Sequence, residues 1–414
     1  MSGRCDKKPA SAQAGPRSDR WNMSIIEADI VRTTPQSDTA PLIVHVVRQF
    51  LPNRGGLEDV VANLGRQTVR RGYRVRVVTL DSLFTAPEDK LPPRENIDGI
   101  EVVRIPWSGS SRYPLAPQVF RHLGDADLVH VHAIDFFFDA LAWGRRLHGK
   151  PMIVTTHGGF FHTRKYAAIK KIWFRTLTRA SAMAYRRVVC CSASDLKQFS
   201  EIVPDSLLIE NGADIGKFAD TASRRPKRRI VTIGRFSVNK RLDHLLDAMA
   251  VLKTRDPEWH LDIVGAESDL NRADVEGAIE SRSLSGRVTL HVSPDNGAIR
   301  RIITEASLFA SASEYEGFGL VALEAMSAGL LPVLNANDAF ATLADRHPVI
   351  ALADFTNAQT AATAIETAYE DLSRRPDAVR AGLLDAARGY SWDIVAGRYI
   401  DLYRSLDIVA AENI

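Results

Sequence analysis

The sequence predicts an α/β protein of two domains, each a parallel sheet covered by helices, and three observations carry this. Short β-branched runs alternate with helical or polar segments along the chain, the rhythm that lays strands side by side with helices crossing over them. The alternation breaks once at a charged segment and then restarts. The length of 414 residues exceeds one ordinary core and suits two of roughly 150 to 200 residues each.

Taken in order, residues 1–40 are polar, with Pro, Ser and scattered charge, and lack the apolar core of a signal peptide, so they read as a flexible extension. Order begins with Leu42-Ile-Val-His-Val-Val47, which runs into Asn53-Arg-Gly-Gly56 and a helical pattern from Leu57: strand, glycine loop, helix. Arg74–Thr79, Glu101–Ile105, Leu128–His132, Met152–Thr156 and Arg187–Cys190 repeat the strand pattern. The break Ser223-Arg-Arg-Pro-Lys-Arg-Arg229 reads as an exposed linker. Strands follow at Ile230–Gly234, Leu261–Val264, Val288–Val292, Leu308–Ser311 and Leu331–Leu334. A last helix, from Trp392 to about Leu406, sets Ile394, Tyr399, Leu402 and Tyr403 among polar residues and could cap either domain.

Composition narrows the function. With 45% apolar and 25% charged residues the chain has the make-up of a globular protein, and a net charge of +3 argues for neither nucleic acid nor an acidic partner. Cys5, Cys190 and Cys191 have no metal-ligand or redox spacing, which fits a reducing, cytosolic compartment. The richest apolar stretch, Leu320–Leu334, is interrupted by Glu324 and Pro332 and is too short to cross a bilayer.

Three constellations carry chemistry. Gly55-Gly56 removes side chains where a helix begins, so backbone amides can meet an anion at the helix's positive end; a tight turn needing glycine for conformation alone is the alternative. The pair does not match Gly-x-Gly-x-x-Gly, which weakens a dinucleotide-dependent oxidoreductase. Gly234-Arg-Phe-Ser-Val-Asn-Lys240 follows a strand and can turn Arg235 and Lys240 toward one anionic group, as a pyrophosphate requires. In Ser313-Glu-Tyr-Glu316-Gly-Phe-Gly-Leu-Val-Ala-Leu-Glu324, Glu316 stands before the glycines and Glu324 lies in the helix after them. Both can flank a ligand at the helix's amino end, with the amides of Phe318, Gly319 and Leu320 facing phosphate.

These motifs, with His157-Gly158-Gly159 at a strand end, resemble family 4 of the retaining glycosyltransferases in order and spacing over about residues 41 to 407. The resemblance implies the GT-B fold, two Rossmann-like domains facing a central cleft. It divides the chain into the extension 1–40, an acceptor-binding domain 41–212, a donor-binding domain 213–390, and a C-terminal helix 391–414 crossing back to the first domain. His45-Val-Val-Arg-Gln-Phe50, Gly109-Ser-Ser-Arg-Tyr-Pro114, Thr156-His-Gly-Gly-Phe-Phe-His-Thr163, Ile172-Trp-Phe and Arg398-Tyr-Ile-Asp are similar to the bacterial α-mannosyltransferases that extend cellobiosyl-diphosphate-polyprenol in xanthan- or acetan-type exopolysaccharide assembly. The long amino terminus departs from that group, and Met23 is an internal candidate start.

What the resemblance implies is a transfer of mannose from GDP-mannose, with retention, to the 3-hydroxyl of the outer glucose of the lipid-linked disaccharide; the alternatives are a family 4 transferase using a UDP-sugar on another lipid-linked acceptor, or a nucleotide-sugar-binding protein without turnover. Arg235 and Lys240 would neutralise the departing diphosphate, with no metal or other cofactor; His157 would contact the donor sugar near its 6-hydroxyl and reacting carbon, a capped core histidine being the alternative. Glu316 would be the sugar-side carboxylate and Glu324 would hold the ribose hydroxyls, in a front-face mechanism. Ser192 could reach the cleft or simply cap a helix. Lys170, Lys171 and Arg175 with Trp173 and Phe174 have the composition of an interfacial segment drawn to anionic lipid, or of a solvated helix face. The protein is then expected in the cytoplasm, attached peripherally to the inner face of the cytoplasmic membrane.

Overall fold

The computed structural model describes residues 39–53, 55–158 and 172–408, so the extension expected over residues 1–40 lies outside them apart from its last two positions. The first half is built on β1 (Leu42–Val46), β2 (Arg74–Leu80), β3 (Arg94–Ile97), β4 (Ile100–Ile105), β5 (Leu128–His132), β6 (Met152–Thr155), β7 (Arg187–Cys190) and β8 (Leu207–Leu208). Their order is β8-β7-β6-β5-β1-β2-β4-β3, parallel throughout except β3 against β4. The second half comprises β9 (Arg229–Ile233), β10 (His260–Gly265), β11 (Val288–Val292), β12 (Leu308–Ser311), β13 (Leu331–Asn335) and β14 (Ala351–Ala353). These lie parallel in the order β11-β10-β9-β12-β13-β14. The helices between and after these strands include α1 (Gly56–Arg70), α2 (Ala193–Phe199), α3 (Leu242–Arg255), α4 (Leu320–Ala328), α5 (Asp338–Arg346) and α6 (Trp392–Arg404).

The continuous apolar runs behave as strands buried on both faces. All five residues of β1 and of β5 are buried, as a parallel sheet sandwiched between helices demands. In each sheet the strand order reverses beside the first strand, at β5/β1 and at β9/β12, and ligands of open parallel sheets bind at the carboxyl ends beside such a reversal. The loops carrying the predicted motifs leave those strand ends or their neighbours. Pattern reading did not find β3, β8 or β14, which are edge strands of two to four residues, too short to show a period. The motif Gly109–Pro114 turns out to sit in a hairpin pairing Ser108–Ser110 with Tyr113–Leu115.

The chain passes between the halves twice, side by side. Ala213 forms a parallel bridge with Ser391 and donates its N–H to the Tyr390 carbonyl at 2.8 Å. A Cβ on Gly212 would come within 2.6 Å of the Trp392 indole, so the close approach requires glycine there. The charged break at Ser223–Arg229 is therefore not the crossing: Phe218 and Ala222 already belong to the second core, and the Ser223 N–H donates to the Ala306 carbonyl at 3.0 Å.

Helix α6 settles which sheet it covers. Ser391 caps it, accepting the Ile394 N–H at 3.2 Å, and Trp392, Val395, Ala396, Tyr399, Ile400 and Tyr403 fall on one face at helical spacing. That face packs on Ile43, Leu64, Leu128 and Ile153 of the first half. Its two tyrosines also reach polar partners there: Tyr403 Oη lies 2.9 Å from His130 Nδ1, and Tyr399 Oη 3.1 Å from Thr155 Oγ1. Among the described residues no helix is long and apolar enough to cross a membrane.

Candidate active site

The loop after β9 turns sharply at Gly234, against which β10 passes so closely that a Cβ on Gly265 would stand 1.7 Å from the Gly234 carbonyl oxygen. Arg235 is exposed beyond that turn, and it lines a small cavity together with Lys240, Gly234 and Ser311. Asn239, just before Lys240, clips this loop to the loop after β12. Its carbonyl accepts the Glu314 N–H at 2.9 Å, its Oδ1 accepts the Tyr315 N–H at 3.1 Å, and its Nδ2 donates to the Tyr315 carbonyl at 2.8 Å. The clip leaves Lys240 and Glu316 facing each other: Lys240 Nζ donates to Glu316 Oε1 at 2.5 Å, with the two side chains 22% and 19% exposed. The residues expected to serve the diphosphate and the sugar are thus each other's partners.

Glu316 and Phe318 also line a cavity of about 240 Å³ between the halves, whose other wall includes Ser192 and Glu210. Gly319 takes φ = +83°, the left-handed region, and a Cβ there would stand 2.9 Å from the Phe340 ring, so conformation and space both demand glycine. Leu320 opens α4, whose amino end has no side-chain cap and presents its positive end to an anion, although the Ala322 N–H in that turn already donates to the Gly319 carbonyl at 2.9 Å. Glu324 lies in that helix, 19% exposed, with Lys217 Nζ 3.7 Å away. Burial pushes its carboxyl above the usual range; Lys217 opposes this, and Asp214 and Asp59 add to it. Asp59 belongs to the first turn of α1, so the helix that Gly55 and Gly56 open bears electrostatically on Glu324.

Neither of those two glycines is there for a left-handed turn. Gly55 is extended, at φ = −163°, and a Cβ on it would meet Glu58 Oε2 at 2.6 Å, while one on Gly56 would meet nothing within 4 Å. What they provide at the start of α1 is room.

On the first sheet, Thr156 follows the last residue of β6, and His157 and Gly158 come next with φ of +54° and +72°, so the chain turns away through two successive left-handed residues. A histidine held there is strained backbone of the kind that collects at functional sites. His157 keeps part of its surface accessible, and its Nε2 lies 2.9 Å from His132 Nδ1. Burial lowers its pKa to about 3, so it is neutral at physiological pH. Gly159 lies outside the described residues.

Residues 54–217 match the model of Glycosyltransferase Family 4, and residues 216–383 that of Glycosyl transferases group 1. The GDP-mannose:cellobiosyl-diphosphopolyprenol alpha-mannosyltransferase of Xanthomonas campestris is 44% identical over 366 residues, 88% of this chain and 96% of that protein. The protein of the same name from Komagataeibacter xylinus is 43% identical over 373 residues, 90% of this chain and 95% of that one. The chain belongs to glycosyltransferase family 4. Among solved structures, sucrose-phosphate synthase from Thermosynechococcus elongatus superposes with a TM-score of 0.66 at 20% identity, covering 89% of this chain and 99% of that one, which shows the shared GT-B fold.

The remaining predicted residues of this family 4 chain divide. Ser192 meets both of its readings: its Oγ caps α2, accepting the Asp195 N–H at 3.1 Å, and it lines the cleft cavity opposite Glu316. Behind it Thr156 Oγ1 donates to Asp195 Oδ2 at 2.7 Å, fixing α2 to the strand end that carries His157. Lys170 and Lys171 lie outside the described residues. Trp173 and Arg175 are exposed, Arg175 pairing with Glu201 at 2.9 Å. Phe174 is a correction: it is 3% exposed, its ring edge-on to Phe199 at 5.1 Å, because its position in the helical turn faces the core and not solvent. Cys190 and Cys191 are buried free thiols, and burial pushes Cys190 up to about 12, which makes it inert as a nucleophile.

Two contributors escaped the sequence reading. Asn239 was invisible because its partners lie 76 residues away in the chain. Arg346 of α5 pairs with Glu210, joining the second half to the first at the cavity's edge, and neither sits in a motif.

Proposed function

We propose that this family 4 transferase moves mannose from GDP-mannose to the 3-hydroxyl of the outer glucose in a cellobiosyl-diphosphate-polyprenol acceptor, with retention. The observation that carries the reading is the Lys240–Glu316 pair at the second sheet's carboxyl edge, a cation for a departing phosphate beside a carboxylate for a sugar. The donor and acceptor follow the names of relatives 43% to 44% identical over nearly their whole length. The anomeric C–O bond to GDP breaks as the acceptor oxygen bonds the same face, and the acceptor's proton passes to the departing phosphate oxygen. Arg235 and Lys240 stabilise the charge that develops on that oxygen; one such preorganised donor is worth about 10²- to 10³-fold in rate. With two cations in this role, no metal is assigned.

Glu316, released from Lys240 as the diphosphate arrives, faces the mannose, Glu324 holds the ribose hydroxyls, and His157 contacts the sugar from the first domain. The lipid acceptor places the enzyme at the inner face of the cytoplasmic membrane; the exposed Trp173, Arg175 and Arg179 support a peripheral attachment. Transfer of radiolabel from GDP-mannose, UDP-glucose, UDP-galactose or UDP-glucuronate to a cellobiosyl-diphosphate-lipid in EDTA tests the proposal. Label entering lipid from GDP-mannose alone is expected. Transfer from a UDP-sugar alone would reject the donor, and loss of transfer in EDTA would reject metal independence.

A further inference from the structure

Behind His157 lies a row of hydrogen-bonded imidazoles. His132 Nδ1 stands 2.9 Å from His157 Nε2, and His132 Nε2 stands 2.8 Å from His45 Nδ1. His45 and His132 are wholly buried on adjacent central strands, and the outer nitrogen of the row, His45 Nε2, is buried with no hydrogen-bond partner among the described residues. A neutral imidazole has one N–H and one lone pair, so in such a row every proton must point the same way.

Two arrangements satisfy this. In one, each proton points toward His45, which then buries an unpaired N–H at Nε2 and leaves His157 Nδ1 a bare acceptor. In the other, each proton points toward His157; His45 then buries only an unpaired lone pair, and His157 carries its proton on Nδ1. Orphaned buried donors are rarer than under-satisfied acceptors, which favours the second. A metal held by His45, His130 and His132 is the competing use of the cluster, whose nitrogens lie within 4.8 Å of one another. Geometry opposes it. Both His130 nitrogens are already bonded, to Tyr403 Oη at 2.9 Å and Thr155 Oγ1 at 2.8 Å, and its ring stacks on His132 at 4.1 Å and 29°, so their in-plane lone pairs do not converge.

We propose that His132, backed by His45, is a positioning residue that locks His157 as the Nδ1–H tautomer, so that His157 offers a hydrogen-bond donor to an oxygen of the bound sugar donor. The inference rests on the reading of His157 as a donor-site residue. Burial, which lowers the pKa of His45 to about 3 and those of His132 and His157 as well, keeps the row neutral and its polarity defined.

The test is a ¹H–¹⁵N imidazole spectrum of the full chain, with His157→Ala identifying the His157 signals, alongside steady-state transfer from GDP-mannose. The wild type should show His157 protonated at Nδ1. His132→Phe should give mixed His157 tautomers and a kcat lower by on the order of ten- to a hundredfold, as for other residues that orient a ring, with KM for the donor changed by less than about threefold. His132→Asn, whose amide can donate from near the Nδ1 position, should restore both signals. A wild-type His157 protonated at Nε2 would overturn the proposal, and so would a His132→Phe enzyme with unchanged kcat and spectrum. If His132→Phe does not fold, the wild-type spectrum decides alone. Full activity in His157→Ala would instead overturn the donor-site reading; an inactive His157→Ala beside a fully active His132→Phe would overturn only the positioning role.

Discussion

Removing the Asn239 side chain separates the clip from the groups it positions. In Asn239→Ala the carbonyl still accepts the Glu314 N–H, so the two loops stay joined, but both side-chain bonds to Tyr315, at 3.1 Å and 2.8 Å, are lost. Each is worth about 0.5 to 1.5 kcal/mol net, so the geometry placing Lys240 on Glu316 loses about 1 to 3 kcal/mol of support. If that support is needed in the transition state, kcat/KM falls between about fivefold and about 150-fold. Asn239→Asp should do no better: it keeps an acceptor for the Tyr315 N–H but sets a carboxylate oxygen against the Tyr315 carbonyl. Initial rates of mannosyl transfer give the loss, and calorimetric titration with GDP shows how much of it lies in binding. Wild-type kcat and GDP affinity in Asn239→Ala would refute the reasoning, since the clip would then hold nothing that catalysis uses.

Other variants probe separate parts of the site. Glu316→Ala should nearly abolish transfer while GDP binding persists, whereas Lys240→Ala should weaken GDP binding; unchanged GDP affinity in the latter would sink the diphosphate assignment. Gly319→Ala sets a side chain at φ = +83° and 2.9 Å from Phe340, so the melting temperature should drop by the equivalent of about 1 to 3 kcal/mol, and an unchanged value would show the turn to be tolerant. His45, His130 and His132 are buried neutral with lowered pKa values, His45 to about 3. Above the unfolded value of 6.5 they are neutral in both states and add no pH dependence; below it the unfolded chain binds protons that the fold refuses. Stability should therefore fall as pH drops from 6.5, by up to about 4 kcal/mol per pH unit for three histidines. Urea midpoints that stay flat from pH 7.5 to 5 would mean that the folded cluster accepts protons. Neutralising Lys170, Lys171 and Arg175 should reduce sedimentation with anionic liposomes, and undiminished sedimentation would leave this a solvated helix face.

The strands and the motif loops were legible because their causes are local. β1, β5 and β9 are β-branched runs with no other way to bury themselves, and Gly234, Gly319 and the Glu316–Glu324 spacing are set by what a strand-to-helix turn requires. The motifs' order sufficed to place the chain in its family. What neighbours across the fold do was not legible. That Lys240 pairs with Glu316, that Asn239 binds the two loops, and that Phe174 turns inward depend on segments brought together by strand order and by the packing of whole helices. The final helix illustrates the division: its apolar face was plain from its spacing, and the family resemblance implied its return to the first domain, but what fixes it there is the twin crossing at Ala213 and Ser391 and the buried His130 and Thr155 to which its tyrosines bond. A side chain's type is written locally, whereas its partner is a property of the closed fold, because hydrogen bonds and ion pairs depend on distances that only tertiary packing sets.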